Sequence, residues 1–332
     1  MTIAKISRPV CILGLGLIGG SLLRDLAAQG VDVFGFNRSP SGATAATSEG
    51  FSVSTNLIEV LQRAESAGAL IVLATPMPAI GSLLDAIDEH APTCGITDVV
   101  SVKAEVYGLV CDHGMQDRYV GGHPMAGTAD SGWSASLEGL FEGAAWVVTF
   151  DHAYNSPSDS WVALWIDVVR MALSVGAEVI PTRVAQHDEA VARISHLPHI
   201  FAEALAITGD NGGALALSLA AGSFRDSTRV AGSHPSLVQA MCENNREALL
   251  VALDEALTLL HDARAALASP ENDLSLLIDT GYRSRIRFEA RTGVSGISGV
   301  SGRPVLRLHP GAENWISQLE QAENLGARID VF

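Results

Sequence analysis

Short apolar runs alternate with helix-like stretches along the first half of the chain. Runs rich in Val, Ile and Leu that lack polar alternation are typical of strands covered on both faces of a sheet. Because helix-like stretches separate these runs, the pattern predicts an α/β fold with a doubly wound parallel sheet. The predicted strands are Pro9–Leu13, Val31–Phe36, Ala69–Leu73, Gly95–Val99, Ala145–Phe150 and Glu178–Ile180, and the predicted helices include Ser21–Gln29, Ile58–Glu65 and Trp161–Ser174.

The pattern changes near Arg183, where strand signals give way to long Ala- and Leu-rich stretches. Apolar residues at helical spacing over such lengths predict an all-helical second domain. It contains more Ala and Leu than one small bundle buries, which favours a homodimer formed through these helices. The predicted helical stretches are Val184–Asp210, Ala214–Phe224, Ser236–Ala268 and Asp273–Arg287.

The C-terminal part differs from both domains. Thr292–Arg303 is rich in Gly and Ser and predicts a flexible loop. Val305–His309, Glu313–Gly326 and Ala327–Phe332 then predict strand, helix and strand, which is too short for an independent regulatory domain. The predicted organisation is a dinucleotide-binding domain over 1–182, a helical substrate and dimerisation domain over 183–290, and an extension over 291–332.

Composition narrows the class of partner. The chain has 332 residues, of which 48% are hydrophobic, so it can bury substantial cores and disorder is not expected. Its net charge of −16 argues against nucleic acid or an anionic membrane, because both bind basic surfaces. One or two arginines can still hold a small anionic substrate against this acidic background.

The cysteines indicate the compartment. They form no CxxC pair and no Cys/His cluster at zinc spacing, so no metal site is predicted. Free thiols in apolar runs suit a reducing environment, and the N-terminal residues are too short and polar for a signal peptide. A cytoplasmic location is therefore expected. The cysteines are Cys11, Cys94, Cys111 and Cys242.

A glycine motif follows the first predicted strand. Gly14, Gly16 and Gly19 form GxGxxG at the start of a helix. In a Rossmann domain the first glycine permits the tight turn, the second admits the pyrophosphate, and the third lets helix and strand pack closely. The phosphates then meet the free N–H groups of the helix. The alternative is a glycine-rich turn with a purely structural role.

Cofactor choice depends on the end of the second strand, about 20 residues further on. An NAD site needs a carboxylate there, and Asn37 is not one. Arg38 and Ser39 can bind a 2′-phosphate, so NADP is predicted, with NAD also possible; the alternative is that Arg38 is a solvated loop charge. The expected cofactor contacts are Gly14, Gly16, Leu17, Ile18, Gly19, Asn37, Arg38, Ser39, Thr75 and Pro76.

Two further clusters carry candidate chemistry. Ser101 and Lys103 follow Asp98 at the carboxyl end of a predicted strand, where open α/β sheets bind ligands. His123 lies in a Gly/Pro-rich loop that ends at Thr128, and a histidine held in a loop is a candidate base.

Taken together, these motifs resemble the prephenate/arogenate dehydrogenases of tyrosine biosynthesis. The resemblance runs from Gly14 to Pro235, about two thirds of the chain. The family's motifs occur in its order: GxGxxGGS from Gly14, DxxSxK from Asp98, GGHPMAGT from Gly121, His187-Asp188, SHLPH from Ser195 and FRDSTR from Phe224.

The resemblance implies roles for these residues. His123 would take the proton of the substrate's ring hydroxyl while hydride passes to the nicotinamide, and loss of CO2 would aromatise the ring. Ser101 would hydrogen-bond His123 or the reacting hydroxyl, and Arg229 would hold a substrate carboxylate. The remaining expected substrate contacts are Ser195 and His199, four residues apart on one helix, together with Thr128 and Lys103.

Each role has a structural alternative. Ser101 could cap a helix, Lys103 could be a surface charge, and Arg229 could pair with Asp226. We interpret His187 and His196 as structural residues that cap or pair locally.

Two departures from the commoner pattern bear on the substrate. Ala129 follows the HPMAGT motif where many members have Glu, and Pro235–Val238 lacks their Trp. This favours arogenate as the substrate, with prephenate as the alternative. The two compounds differ only in one side-chain group, which is an ammonium in arogenate and a ketone in prephenate. The pattern predicts that the C-terminal regulatory domain of some family members is absent or much reduced, which argues against feedback inhibition by tyrosine.

Two more distant functions stay open. A β-hydroxyacid or imine dehydrogenase shares the two-domain plan but typically has a lysine motif in its second domain, and this chain has no lysine after Lys103. A nucleotide-sensing protein without chemistry would leave the HPMAGT loop and Arg229 unexplained.

Overall fold

The computed structural model describes residues 6–128, 130–155, 157–292 and 302–332. Ala129 and most of the predicted loop Thr292–Arg303 lie outside the described residues. The chain divides into two compact units. The first comprises Met1–His187 with Val305–Phe332, and the second comprises Asp188–Pro304.

Eleven strands occur in the described part of the chain. The six that the sequence predicts in the first half are all present, to within two residues at each end. The strands are β1 Val10–Leu13, β2 Val33–Phe36, β3 Ser52–Ser54, β4 Leu70–Leu73, β5 Gly95–Asp98, β6 Tyr119–Val120, β7 Gly122–Pro124, β8 Ala145–Thr149, β9 Glu178–Thr182, β10 Val305–Leu308 and β11 Arg328–Val331.

Fourteen α-helices accompany these strands within the same described ranges. They are α1 Leu17–Ala28, α2 Pro40–Ser48, α3 Leu57–Ala67, α4 Ile80–His90, α5 Ala104–Asp112, α6 Asp159–Ser174, α7 Val184–Val191, α8 Leu197–Asn211, α9 Gly213–Leu219, α10 Gly222–Thr228, α11 Pro235–Glu243, α12 Arg246–Ala268, α13 Ser275–Thr292 and α14 Trp315–Leu325.

The main sheet of the first unit has six parallel strands in the order β3-β2-β1-β4-β5-β6. The order reverses between β1 and β4, so the connections from these strands leave toward opposite faces. In doubly wound sheets, ligands bind outside the carboxyl ends of the strands at such a reversal. The predicted Rossmann fold is therefore confirmed.

Strand β1 shows why the apolar runs lack polar alternation. Val10 and Ile12 belong to one apolar cluster, and Cys11 and Leu13 belong to another. Since successive side chains of a strand point to opposite faces, both faces of the sheet are covered. Each fully buried large aliphatic side chain contributes about 1.5–3 kcal/mol to the free energy of folding.

Two smaller sheets complete the first unit. In one, β7 is antiparallel to β8, and β8 is parallel to β9. In the other, β10 and β11 form a parallel pair. The strand, helix and strand predicted for the C-terminal extension are present, but they belong to the first unit, because α14 and β11 pack against β9.

The second unit is helical, as predicted, but its helices are more interrupted. The sequence predicts one helix over Val184–Asp210, whereas a π-helical turn at Ala192–His196 separates α7 from α8. Pro198 stands at the second position of α8. Proline lacks an amide hydrogen and its ring crowds the carbonyl four residues earlier, so a regular helix is broken there.

None of the helices within the described residues has both the length and the apolar character that a membrane span requires.

Candidate active site

The turn between β1 and α1 has the shape of a pyrophosphate cradle. Gly14 has φ +106°, and a Cβ there would lie 2.5 Å from the Ala74 carbonyl oxygen. A Cβ on Gly19 would lie 2.0 Å from the Gly14 oxygen. Gly16, the N-cap of α1, instead faces open space. The first and third glycines are therefore needed for packing, and the second leaves room for a ligand at the helix N-terminus.

The loop after β4 lies against this turn. The Thr75 methyl group would be 2.8 Å from a Cβ on Gly14. Its hydroxyl is buried, and no described residue hydrogen-bonds it. An unsatisfied buried hydroxyl costs about 1–3 kcal/mol, which a ligand bound at the turn would recover. The residues present therefore fit a dinucleotide, and Leu17, Ile18 and Pro76 border the same two loops.

The end of β2 carries the residues that would select the cofactor. Asn37 Oδ1 accepts a hydrogen bond from the Ser39 amide at 3.2 Å. Ser39 caps α2 by accepting from the Gly42 amide at 3.3 Å. Arg38 is exposed, and no described residue forms an ion pair with it. A guanidinium beside a helix N-terminus is suited to a phosphate.

A buried polar network lies at the carboxyl end of β5. The Asp98 carboxylate pairs with the Lys103 ammonium and accepts from the Val100 amide at 2.8 Å. Its second oxygen accepts from the Tyr119 hydroxyl at 2.5 Å and the Gly122 amide at 3.3 Å. Burial and the Asp98 carboxylate raise the pKa of Tyr119 well above its usual value, so the phenol stays a donor.

This network corrects the expectation for Lys103. The sequence suggests a substrate contact or a surface charge, but the side chain is 0% exposed. Its ammonium pairs with Asp98 and donates to the Gly122 carbonyl at 2.7 Å. Lys103 is therefore a structural residue that ties the end of β5 to the start of β7.

His123 is the second residue of β7 and directly follows Gly122, whose carbonyl accepts from Lys103. A Cβ on Gly122 would lie 2.6 Å from the Asp98 carbonyl oxygen, so the backbone of β7 lies directly on the end of β5. His123 is 9% exposed. The local fold therefore holds a nearly buried imidazole beside the ligand edge of the sheet.

The histidine partner of His123 is one that sequence reasoning missed. His123 Nδ1 lies 2.8 Å from His187 Nε2, and the rings meet edge to face with centroids 5.1 Å apart. His187 is 1% exposed and belongs to the first turn of α7. The sequence interpretation has His187 capping or pairing locally, whereas this contact joins it to a residue 64 positions away. The His187-Asp188 motif was the available signal.

Ser101 and Thr128 flank His123 in sequence. Ser101 is half-buried between β5 and α5, and the N-cap of α5 is Lys103, so Ser101 is not the capping residue. Thr128 is exposed, and its hydroxyl accepts from the Asp130 amide at 3.2 Å.

In the second unit, the structure brings His199 and Arg229 together. Burial lowers the pKa of His199, and the nearby Arg229 guanidinium lowers it further, against the opposing effects of Glu203 and the Val230 backbone. The lowered pKa favours the neutral imidazole of His199. Asp226 pairs with Arg225 at 3.4 Å, so the alternative Arg229–Asp226 pair is not formed.

Ser195 and His196 lie in the π-helical turn. The Ser195 hydroxyl lies 3.9 Å from the Met241 sulfur, whereas His199 lies beside Val230. His196 is buried, and its Nδ1 lies 3.0 Å from Asn245 Nδ2. The described residues contain no cluster of three or more side chains that could hold a metal ion.

A doubly wound sheet with a glycine cradle at its first turn and a buried histidine at its ligand edge defines a dinucleotide-dependent oxidoreductase. The chain belongs to the prephenate dehydrogenase family. Two family models match it: the nucleotide-binding domain of prephenate dehydrogenase over residues 22–180, and the dimerization domain over residues 183–278. This membership decides against the β-hydroxyacid and imine dehydrogenases.

Solved structures of prephenate and arogenate dehydrogenases are similar to this chain. A Corynebacterium glutamicum protein assigned as a prephenate dehydrogenase is 62% identical, with a TM-score of 0.94 over 99% of this chain and 100% of that one. Synechocystis arogenate dehydrogenase is 30% identical, with a TM-score of 0.65 over 84% of this chain and 99% of that one. Aquifex aeolicus prephenate dehydrogenase, in complex with hydroxyphenyl propionate and NAD+, is 26% identical, with a TM-score of 0.73 over 87% of this chain and 99% of that one.

The chain is also similar to a cyclohexadienyl dehydrogenase. The cyclohexadienyl dehydrogenase of Zymomonas mobilis is 30% identical over 275 residues, which cover 80% of this chain and 91% of that protein.

Proposed function

We propose that this chain converts L-arogenate to L-tyrosine by oxidative decarboxylation, with hydride transfer to NADP. The observation that carries the proposal is the buried His123–His187 pair beside the ligand edge of a sheet whose first turn fits a dinucleotide. The bound nicotinamide supplies the hydride acceptor. The chain's own residues supply orientation and a proton acceptor.

His123 is the proposed base. Its Nδ1 contacts His187, so Nε2 is the atom that we assign to the proton of the substrate's ring hydroxyl. His187 fixes the orientation of the ring and stabilises the imidazolium that forms. When bound, the nicotinamide would accept the hydride of the carbon that bears this hydroxyl. Loss of CO2 would then leave an aromatic phenolate, to which the His123 imidazolium would return its proton. Ser101 is proposed to hydrogen-bond the reacting hydroxyl.

Two facts support arogenate as the substrate. Ala129 stands where many prephenate-using members have Glu, and Synechocystis arogenate dehydrogenase is 30% identical to this chain. Prephenate is the second candidate, supported by the likeness to the Aquifex enzyme. The test is absorbance of the reduced nicotinamide with each substrate and each cofactor. Absence of turnover in all four mixtures would refute a dehydrogenase of this kind.

NADP preference rests on Arg38. We expect Arg38→Ala to raise the KM for NADP roughly 10- to 100-fold, because one charge-assisted contact contributes about 1.5–3 kcal/mol. The KM for NAD should change little. Asn37→Asp should also weaken the binding of NADP and strengthen the binding of NAD, because a carboxylate repels the 2′-phosphate and accepts a hydrogen bond from a 2′-hydroxyl. Steady-state kinetics with both cofactors measure this, and equal effects on the two cofactors would contradict a phosphate contact.

Arg229 is proposed to bind a substrate carboxylate, since it is exposed and no described carboxylate pairs with it. Arg229→Ala should raise the substrate KM roughly 10- to 100-fold and leave the cofactor KM unchanged. Arg225→Ala is the matched control, because Arg225 forms an exposed pair with Asp226 that contributes little. Similar substrate KM values for the two variants would contradict the assignment.

We also propose that the chain forms a homodimer through its second unit. That unit matches the dimerization domain of the family. It exposes large apolar side chains on several helices, which water solvates poorly. Among them are Leu215 at 72%, Leu276 at 82%, Ile278 at 62% and Tyr282 at 66% exposure.

A further inference from the structure

The start of helix α7 is held by two carboxylates from distant parts of the first unit. The Arg183 amide donates to Glu323 Oε1 at 2.6 Å, and the Arg183 guanidinium donates to Oε2 through Nε at 2.8 Å and Nη2 at 2.6 Å. The Val184 amide donates to Asp151 Oδ2 at 2.9 Å. Two amides that have no partner within the helix are thus bonded to negative charges, which the helix dipole also favours.

Glu323 belongs to α14, in the C-terminal segment Val305–Phe332. Its side chain is only 7% exposed, and its bonds to Arg183 raise the pKa of that guanidinium. A carboxylate with three donors and little contact with water is held in one position. The family models end at residue 278, so this segment lies beyond both of them.

Helix α14 is itself firmly packed. The Trp315 ring meets Trp165 of α6 edge to face, with centroids 5.7 Å apart, and Leu319 and Ala322 are fully buried. Arg328 of β11 pairs with Glu178 of β9 at 3.1 Å. The segment is therefore a rigid support against which Glu323 acts.

Arg183, which Glu323 holds, lies one helical turn before His187, the histidine that contacts the candidate base. The His187 amide donates to the Arg183 carbonyl at 2.9 Å, and His187 Nε2 lies 2.8 Å from His123 Nδ1. A shift at Arg183 therefore moves His187 directly, because both lie in the same turn. Hydrogen bonds weaken steeply with distance and angle, so a small shift is enough to disturb the histidine pair.

We propose that the C-terminal segment is a positioning element of the active site, in which Glu323 sets the start of α7 and thereby the place of His187 against His123. Glu323 acts through Arg183 and His187 and does not touch the substrate. The proposal rests on the proposed role of His123 as the base.

The test compares variants of the full-length protein. Glu323→Ala should lower kcat about tenfold or more, since misplacement of a catalytic group by a fraction of an ångström is costly. Glu323→Gln keeps an acceptor for the Arg183 amide, so its kcat should fall less than that of Glu323→Ala. Glu320→Ala is the matched control: it removes a carboxylate of the same helix that accepts from the Tyr154 hydroxyl, and its kcat should stay within about twofold of wild type. Cofactor affinity, from fluorescence titration, should be unchanged in all three.

A double-mutant cycle separates positioning from general damage. If Glu323 acts through His187, Glu323→Ala should add nothing to the kcat loss of His187→Ala. Independent losses that multiply would overturn the proposal. So would a folded Glu323→Ala, or Glu323→Gln if alanine prevents folding, whose kcat equals that of Glu320→Ala.

A readout without turnover keeps this test apart from the proposed function. In protein labelled with 15N-histidine, the ring nitrogen shifts of His123 and His187 report their tautomers. Both pairs of shifts should move in Glu323→Gln and stay unchanged in Glu320→Ala; unchanged shifts in Glu323→Gln would refute the coupling. A wild-type protein that turns over no substrate but shows these movements would reject the proposed function and leave the positioning intact.

Discussion

Replacing His123 with asparagine should lower kcat about 10²- to 10⁴-fold, the usual contribution of a general base, while leaving cofactor binding unchanged. Asparagine is close in shape to the near half of the imidazole, and its amide can still bond His187, so the packing around β7 is preserved. What it lacks is an imidazole nitrogen at the position of Nε2 that can take up a proton. Stopped-flow or steady-state absorbance of the reduced cofactor measures the loss.

The control is a histidine of the same unit that lies away from the site. His90 ends α4 and contacts Glu89 at 3.8 Å on the surface, so His90→Asn should retain wild-type kcat. If His123→Asn retains turnover at the level of His90→Asn, His123 is not the base. Cofactor affinity, measured by fluorescence titration, should be equal in the two variants because the glycine cradle lies on β1 and α1.

The second large effect concerns stability. Lys103→Met should lower the free energy of unfolding by about 3–5 kcal/mol, because it leaves the buried Asp98 carboxylate without its counter-charge. Both side chains are 0% exposed, so water does not replace the lost partner. Denaturation in urea, followed by circular dichroism, measures the change. Activity should fall as well, since Lys103 also holds the Gly122 carbonyl next to His123.

Two comparisons sharpen this prediction. Adding Asp98→Asn to Lys103→Met should recover part of the lost stability, because the uncompensated charge is removed. Arg285→Met breaks an exposed pair with Glu289 and should cost less than about 1 kcal/mol. A Lys103→Met protein as stable as Arg285→Met would show that the Asp98–Lys103 pair does not stabilise the fold.

Much of the fold was predictable because its determinants are local. The apolar run at β1 has no polar alternation, and the structure shows that both of its faces are covered. The glycine motif predicted the cradle, because Gly14 and Gly19 are spaced as a tight turn and a close helix contact require. Strands β3, β6 and β7 escaped prediction because two or three residues are too short to show a periodic pattern.

The site was less predictable, and Lys103 shows why. A lysine that follows the end of a strand is usually solvated. Only the packing of β5, β6 and β7 brings the Asp98 carboxylate and the Gly122 carbonyl to its ammonium, and the donating Tyr119 hydroxyl to Asp98. The π turn before Pro198 has the same origin: the proline is visible in the sequence, but the way the backbone absorbs it depends on its surroundings.

By itself, the sequence determined the order of the longer strands and helices, the place of the dinucleotide turn, the family and His123 as the candidate base. These follow from patterns that extend over a few residues, where spacing alone decides which side chains share a face. Tertiary structure decided the partners. His187 meets His123 across 64 positions and Glu323 meets Arg183 across 140, and neither contact has a local pattern to reveal it. Such contacts depend on how whole elements pack, so only the folded chain shows what holds the candidate base in place.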